Sequence, residues 1–151
     1  MSLEKDIQQE VFRNNYQKAT VNIIYTANWL NEHIKNYLFE DEVTPQQYNI
    51  LRILRGSKKP LSTLQIRARM LDKMSDTSRI VDRLILKGWA EKTICRADKR
   101  LVDVVITDNG LDLLKKLDQK DQLIDNTLAK LNEKEVELLN VLLDKIRENG
   151  E

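Results

Sequence analysis

Two helix-start signals, eighteen residues apart, fix how the middle of this chain folds. Thr44-Pro45-Gln46-Gln47 offers a capping hydroxyl, a proline at the first helical position and a glutamine that reaches back to the cap. Ser62-Thr63-Leu64-Gln65 repeats the cap and the returning glutamine. Val43 with Tyr48, and Leu61 with Ile66, are spaced to close over these first turns as hydrophobic staples. Both helices must be short. Arg55-Gly56-Ser57 and Pro60 end the first, and the second stops near Leu71-Asp72. Ser75-Asp76-Thr77-Ser78 then opens a third helix that runs to about Lys87, with Gly88 in the position of a C-terminal cap. Thr77, Ile80, Val81 and Leu84 recur at i, i+3, i+4 and i+7 and face inward. Ser75, Asp76, Ser78, Arg79, Asp82 and Arg83 are left facing out. A short helix, a tight turn and a helix with a polar outward start make a helix-turn-helix.

A hairpin follows. Ala90 to Cys95 and Leu101 to Thr107 are rich in β-formers, and Val102, Val104 and Ile106 alternate with Asp103 and Val105. The loop between them, Arg96-Ala97-Asp98-Lys99-Arg100, is basic and projects into solvent. Long helical runs flank this middle. From Ile7 to about Phe39, Val11, Phe12, Asn15, Ala19, Ile23, Ala27, Leu30, Ile34 and Leu38 fall at helical spacing with no Gly or Pro, which predicts one helix of roughly eight or nine turns. So small a domain cannot cover that stripe alone, so part of it should meet another chain. Thr107 caps a further long helix striped by Leu113, Leu114, Leu117, Leu123, Ile124, Leu128 and Leu131. Asn132 caps the last, on which Val136, Leu139, Leu142, Leu143 and Ile146 share a face. The fold class is mainly α with a small β-hairpin wing, in a single domain spanning residues 1–151.

Charge divides the chain at the same places. Residues 52–100 hold fourteen Lys or Arg against five Asp or Glu, while the remainder holds eleven against nineteen. The net +1 therefore conceals a basic centre between acidic ends, and the commonest polyanion for such a surface is nucleic acid. With 5% aromatics and 32% charged residues, the composition is that of water-exposed helices rather than a β-sandwich. No run approaches the ~18 apolar residues of a membrane span. The acidic, amphipathic start has no signal-peptide core, so a cytoplasmic location is expected. A single cysteine, Cys95, and a single histidine, His33, leave no disulfide framework and no structural zinc set. There is no Gly-rich phosphate loop and no paired nucleophile and base. We therefore expect no enzyme, no cofactor and no metal.

Asp82-Arg83-Leu84, Lys87-Gly88-Trp89, Asp98-Lys99-Arg100, Val104-Val105-Ile106-Thr107 and Gly110 stand in an order and spacing that resemble the MarR family of winged-helix regulators. The likeness is strong from the third helix through the wing, and the helix layout extends it, less specifically, over nearly the whole chain. It implies an obligate homodimer in which 7–40 and 111–148 are dimerisation helices and 44–107 is a winged-helix lobe. It further implies a palindromic operator, usually bound by a repressor, with relief by a small ligand or an oxidant. In the family pattern Asp98 holds an arginine of the wing or helix in place, and Arg83 is the candidate here.

A recognition helix enters the major groove by its N-terminal residues, here Ser75, Asp76, Ser78 and Arg79. Arg79 suits a guanine edge or a phosphate; Asp76 either accepts from a cytosine amine or complements the helix dipole. Ser62 and Thr63 are placed to donate to a phosphate. Arg100 at the wing tip suits the minor groove, and Lys99 or Arg96 the flanking phosphates. Trp29, His33 and Tyr37 recur four apart on the first long helix. They either line an aromatic effector pocket beside the lobe or pack in the core or dimer seam. Cys95 is read as an ordinary strand residue, since the family's sensing cysteine lies in the first helix. The competing reading is a winged-helix adapter that binds protein rather than double-stranded DNA.

Overall fold

Both predicted capping boxes close in the structure, a computed structural model that describes residues 2–148. The Thr44 hydroxyl accepts from the Gln47 N–H and the Gln47 side chain accepts from the Thr44 N–H, both at 3.1 Å. Ser62 and Gln65 make the same exchange at 3.2 and 2.9 Å. These caps start α3 (Pro45–Gly56) and α4 (Thr63–Arg69). The next helix, α5 (Thr77–Leu86), is capped by Asp76, its carboxylate accepting from the Arg79 N–H at 3.3 Å. Its far end closes as a Schellman motif: the Trp89 N–H bonds the Leu84 carbonyl and the Gly88 N–H the Ile85 carbonyl, each at 3.0 Å. Gly88 takes the left-handed conformation, φ +74°, which that closure requires.

Strands β1 (Leu61–Ser62), β2 (Ala90–Ile94) and β3 (Val102–Ile106) form an antiparallel sheet in the order β1-β3-β2. The hairpin register pairs Ala90 with Ile106 and Ile94 with Val102. Strand β1 adds to the predicted hairpin, pairing Leu61 with Val104. Two residues cannot show a period of two, and Leu61 carries the staple signal instead. Leu38, Ile50, Leu51, Ile66, Met70, Val81, Leu84, Val104, Leu114 and Leu117 are fully buried and bind the helices to the sheet in one core.

The terminal helices differ from expectation. The first run is not one helix from Ile7. It comprises a short α1 (Leu3–Asp6), an irregular segment and α2 (Asn15–Leu38). Asn14 sets the start of α2, because its side chain accepts the Gln17 N–H at 2.9 Å while the Gln17 side chain accepts the Arg13 N–H at 2.6 Å. Val11 therefore lies off the helix and 80% exposed. The helix opened by Thr107 is also shorter: α6 (Asp108–Asp118) gives way to α7 (Asp121–Asp125), a 3-10 turn at Asn126–Leu128 and then α8 (Glu133–Arg147). Lys120 causes the first break. Its N–H closes a tight turn on the Leu117 carbonyl at 2.8 Å, and its ammonium points inward to the Tyr37 carbonyl and the Asp41 carboxylate, both 2.8 Å away.

Asp41 lies in the 3-10 turn Phe39–Asp41 that ends α2, with its side chain only 2% exposed. Lys116 reaches its other oxygen at 2.5 Å. Hydrogen bonds from Lys116 and then Lys120 hold the Asp41 carboxyl below the usual aspartate range. A lowered folded-state pKa means that the stabilisation is complete at neutral pH, declines as pH falls past the ordinary value of about 3.9, and is gone below the folded-state value. Asp41→Asn should lower Tm by several degrees at pH 7, and the difference from the parent should shrink in acid. Melting curves at neutral and acidic pH check this; a gap that widens in acid would contradict it.

Apolar side chains remain uncovered on the long helices: Ile23, Ile24 and Tyr25 on α2, and Leu138, Val141, Leu142 and Ile146 on α8. No helix among the described residues is long and apolar enough to cross a membrane.

Candidate nucleic-acid interface

The start of α5, the start of α4 and the β2–β3 turn carry the nine residues expected at the interface, and each is fully or partly open to solvent. At the start of α5, Ser78 and Arg79 are exposed and Ser75 is half-buried. Asp76 does two jobs here. It caps the helix and pairs with the Arg79 guanidinium, Nε to carboxylate 3.3 Å. The carboxylate thus sits at the helix N-terminus, one of the two roles open to Asp76. The arginine side chain is still 83% exposed, and a pair so open to water is worth only about 0–1 kcal/mol. Arg79 can exchange this partner for a stronger one at little cost. The turn before α5 is held by Asp72, whose carboxylate accepts from the Ser75 side chain and the Met74 N–H, bonds that keep it below the usual carboxylate range. Ser62 and Thr63, half-buried at the start of α4, sit beside the Ser62–Gln65 box that orders their backbone.

Arg96, Lys99 and Arg100 are exposed, and among the described residues none of them forms an ion pair. The turn is ordered from within. The Leu101 N–H bonds the Asp98 carbonyl at 2.9 Å, the Cys95 N–H bonds the Leu101 carbonyl at 3.0 Å, and the Asp98 carboxylate accepts the Arg100 N–H at 3.0 Å. The expected partner of Asp98 is thereby corrected: it holds the backbone of Arg100, not the side chain of Arg83. Asp98 spends its acceptor locally, two residues on, because an Asx-type turn satisfies it without crossing the wing. The tie from wing to helix is made elsewhere, by the Lys92 ammonium on β2 and the Asp82 carboxylate on α5 at 3.2 Å. Sequence reasoning missed this pair. Both residues are visible as charges, but only the hairpin register turns Lys92 back toward α5.

Trp29, His33 and Tyr37 do lie along one face of α2. The Trp29 and His33 rings are 4.1 Å apart between centroids, tilted 46°, and His33 Nδ1 is 2.9 Å from the Trp29 carbonyl oxygen. They do not line the large cavity beside the helix-turn-helix. That cavity, about 1430 Å³, opens between α2, α3 and the α4–α5 turn and is lined instead by Ile34, Phe39, Val43, Tyr48, Arg52, Met70, Leu71 and Lys87 among others. Ile34 follows His33 by about 100° of helix rotation, which turns it toward α3 and leaves the aromatic face outside. Tyr48, on the cavity wall, accepts from Arg52 at 3.4 Å, and burial raises its pKa.

A helix-turn-helix backed by a three-stranded sheet, with a basic turn beyond its second helix, defines a winged-helix protein. Comparison with known proteins agrees. A MarR-family model matches residues 42–101, which span α3 through the wing. The multiple antibiotic resistance protein MarR of Salmonella typhimurium is 29% identical over 127 residues, covering 82% of this chain and 88% of the relative. Among solved structures, a mutant of MarR from E. coli complexed with operator DNA superposes with a TM-score of 0.80 at 23% identity, covering 91% of this chain and 99% of that one. Bordetella bronchiseptica BpsR, solved for the mechanism by which 6-hydroxynicotinic acid regulates its DNA binding, gives a TM-score of 0.80 at 18% identity over 93% of this chain and all of that one. The match to the MarR family model is thus confined to the winged-helix lobe, and over most of its length the chain is similar to MarR-family transcription regulators.

Proposed function

We propose that this regulator is a repressor that binds a palindromic operator in double-stranded DNA as a homodimer and releases it when a small effector binds. The observation that carries the reading is the exposed basic wing tip, Arg96, Lys99 and Arg100, free of ion pairs among the described residues and standing beyond the outward, polar start of α5. In this reading Ser75, Ser78 and Arg79 enter the major groove, with Asp76 fixing the start of the helix. Ser62 and Thr63 donate to a phosphate, Arg100 enters the minor groove, and Arg96 and Lys99 neutralise flanking phosphates. Asp82 and Lys92 hold the wing to the helix. Residues 44–107 form the DNA lobe, and the helices within 7–40 and 111–148 pair with a second chain through the apolar side chains left bare on α2 and α8. Such a chain works without catalysis, in the cytoplasm where its DNA lies.

The operator complex of the E. coli relative supports the DNA target, and the 6-hydroxynicotinic acid response of BpsR supports a small-molecule signal. The seat we assign to the effector is the cavity between α2 and α3, since its walls belong both to the pairing helix and to the lobe. An occupant favouring one spacing of the two lobes would shift the population toward it. Selection of bound duplexes from a random pool tests the proposal. Enriched sequences should contain an inverted repeat with half-sites about 10 base pairs apart, centre to centre. Enrichment of nothing would hand the fold to the adapter reading.

A further inference from the structure

Lys87 ties the last turn of α5 to the corner that follows α2. Its ammonium donates to the Glu42 carbonyl at 2.5 Å and lies 4.5 Å from the centroid of the Trp89 ring. Glu42 presents that carbonyl from a left-handed backbone, φ +54°, uncommon for a residue with a Cβ. Its N–H is fixed to the Phe39 carbonyl at 3.1 Å, and the neighbouring Asp41 is clamped by Lys116 and Lys120. Residues 39–42 therefore form a corner with three attachments: to α2 by the chain itself, to α6 and its end through Asp41, and to α5 through Lys87. Glu42 and Lys87 also line the cavity, so this contact lies on the wall that an occupant would meet.

We infer that Lys87 is a positioning residue for the recognition helix, seating the C-terminal end of α5 against the corner at the end of α2 so that movement of the corner reaches the helix. An ammonium has three donors and no acceptor, so a carbonyl and an aromatic face hold it together without competing for the same donor. A hydrocarbon chain of equal length would keep the packing on Trp89 and lose both attractions. The side chain is exposed, so removing its charge leaves the core untouched. The geometric part of the inference stands on the contacts alone; the consequence for recognition rests on the DNA reading above.

Lys87→Met and Lys87→Arg separate the two. Amide exchange at Gly88 and Trp89, whose N–H groups close the helix, should speed up in Lys87→Met by about five- to tenfold and stay near the parent value in Lys87→Arg. Adding Asp41→Asn, which loosens the corner, should raise exchange there in the parent and add nothing in Lys87→Met. The ratio of affinities for a selected duplex over a random one should fall about five- to tenfold in Lys87→Met and be retained by Lys87→Arg. Parent-like exchange in Lys87→Met, or an arginine variant no better than the methionine one, would overturn the inference. Faster exchange in a protein that binds no duplex would leave the tie standing and remove the DNA reading instead.

Discussion

Gly110→Ala is expected to unfold or nearly unfold the protein, although alanine is the better helix former. The residue lies in the first turn of α6, where an exposed glycine would cost about 1 kcal/mol relative to alanine. Propensity alone would make the substitution stabilising. The surroundings reverse the sign. A Cβ at this position would stand 2.2 Å from the Trp89 carbonyl oxygen and 2.7 Å from Cγ1 of Ile106. The first is backbone and cannot rotate away. That same oxygen accepts the Thr107 N–H at 3.0 Å, and the Thr107 hydroxyl donates to the Gly88 carbonyl at 2.6 Å while capping α6. To admit the methyl, α6 must retreat from the end of α5, breaking those bonds and pulling Leu114 and Leu117 from the core. A loss of about 4 kcal/mol or more follows from so rigid an overlap, set against the ~1 kcal/mol gained in propensity. Urea unfolding measures it. A midpoint equal to the parent's would mean that α6 sits further from Trp89 than described.

Arg100→Ala should weaken duplex binding by about ten- to a hundredfold, the ~1–3 kcal/mol typical of a groove arginine. Nothing in the fold needs this guanidinium. The side chain is exposed and forms no ion pair among the described residues, while Asp98 holds only its backbone N–H. Stability should therefore stay within about 0.5 kcal/mol of the parent, which isolates the effect on binding. If the arginine neutralises phosphate, the loss shrinks as salt rises, because the parent sheds that contact's advantage. Fluorescence anisotropy at two salt concentrations reads both effects. Unchanged affinity in dilute buffer would take the wing out of the interface.

Local chemistry made the central lobe readable. Capping boxes at Thr44 and Ser62, the glycine at 88 and the alternation of Val102, Val104 and Ile106 depend on neighbours within a few residues. Tertiary demands decided what was missed. Apolar spacing continues through Val11 and Phe12, so periodicity alone could not stop the first helix at Asn14. The break at Gln119–Lys120 carries neither Gly nor Pro. It exists because Asp41, some eighty residues away in sequence, draws the Lys120 ammonium inward. Strand β1 was hidden in a staple, and the Asp82–Lys92 pair depends on how the hairpin folds back. The cavity wall was displaced by one residue of helix rotation from the aromatic face that seemed to offer it. The exposure of the residues expected at the interface was legible, because polar and basic groups at a helix start and a turn tip need no distant partner to stay in water.

The salt dependence of binding to a random-sequence duplex bears most directly on the claim that the basic lobe is built for DNA. The affinity should fall linearly on a log–log plot, with a slope near −0.9 for each phosphate contacted, and Arg96→Ala or Lys99→Ala should make that slope shallower by about one for each cation lost from a phosphate. Failure to bind any duplex in dilute buffer, or an affinity indifferent to salt, would contradict it.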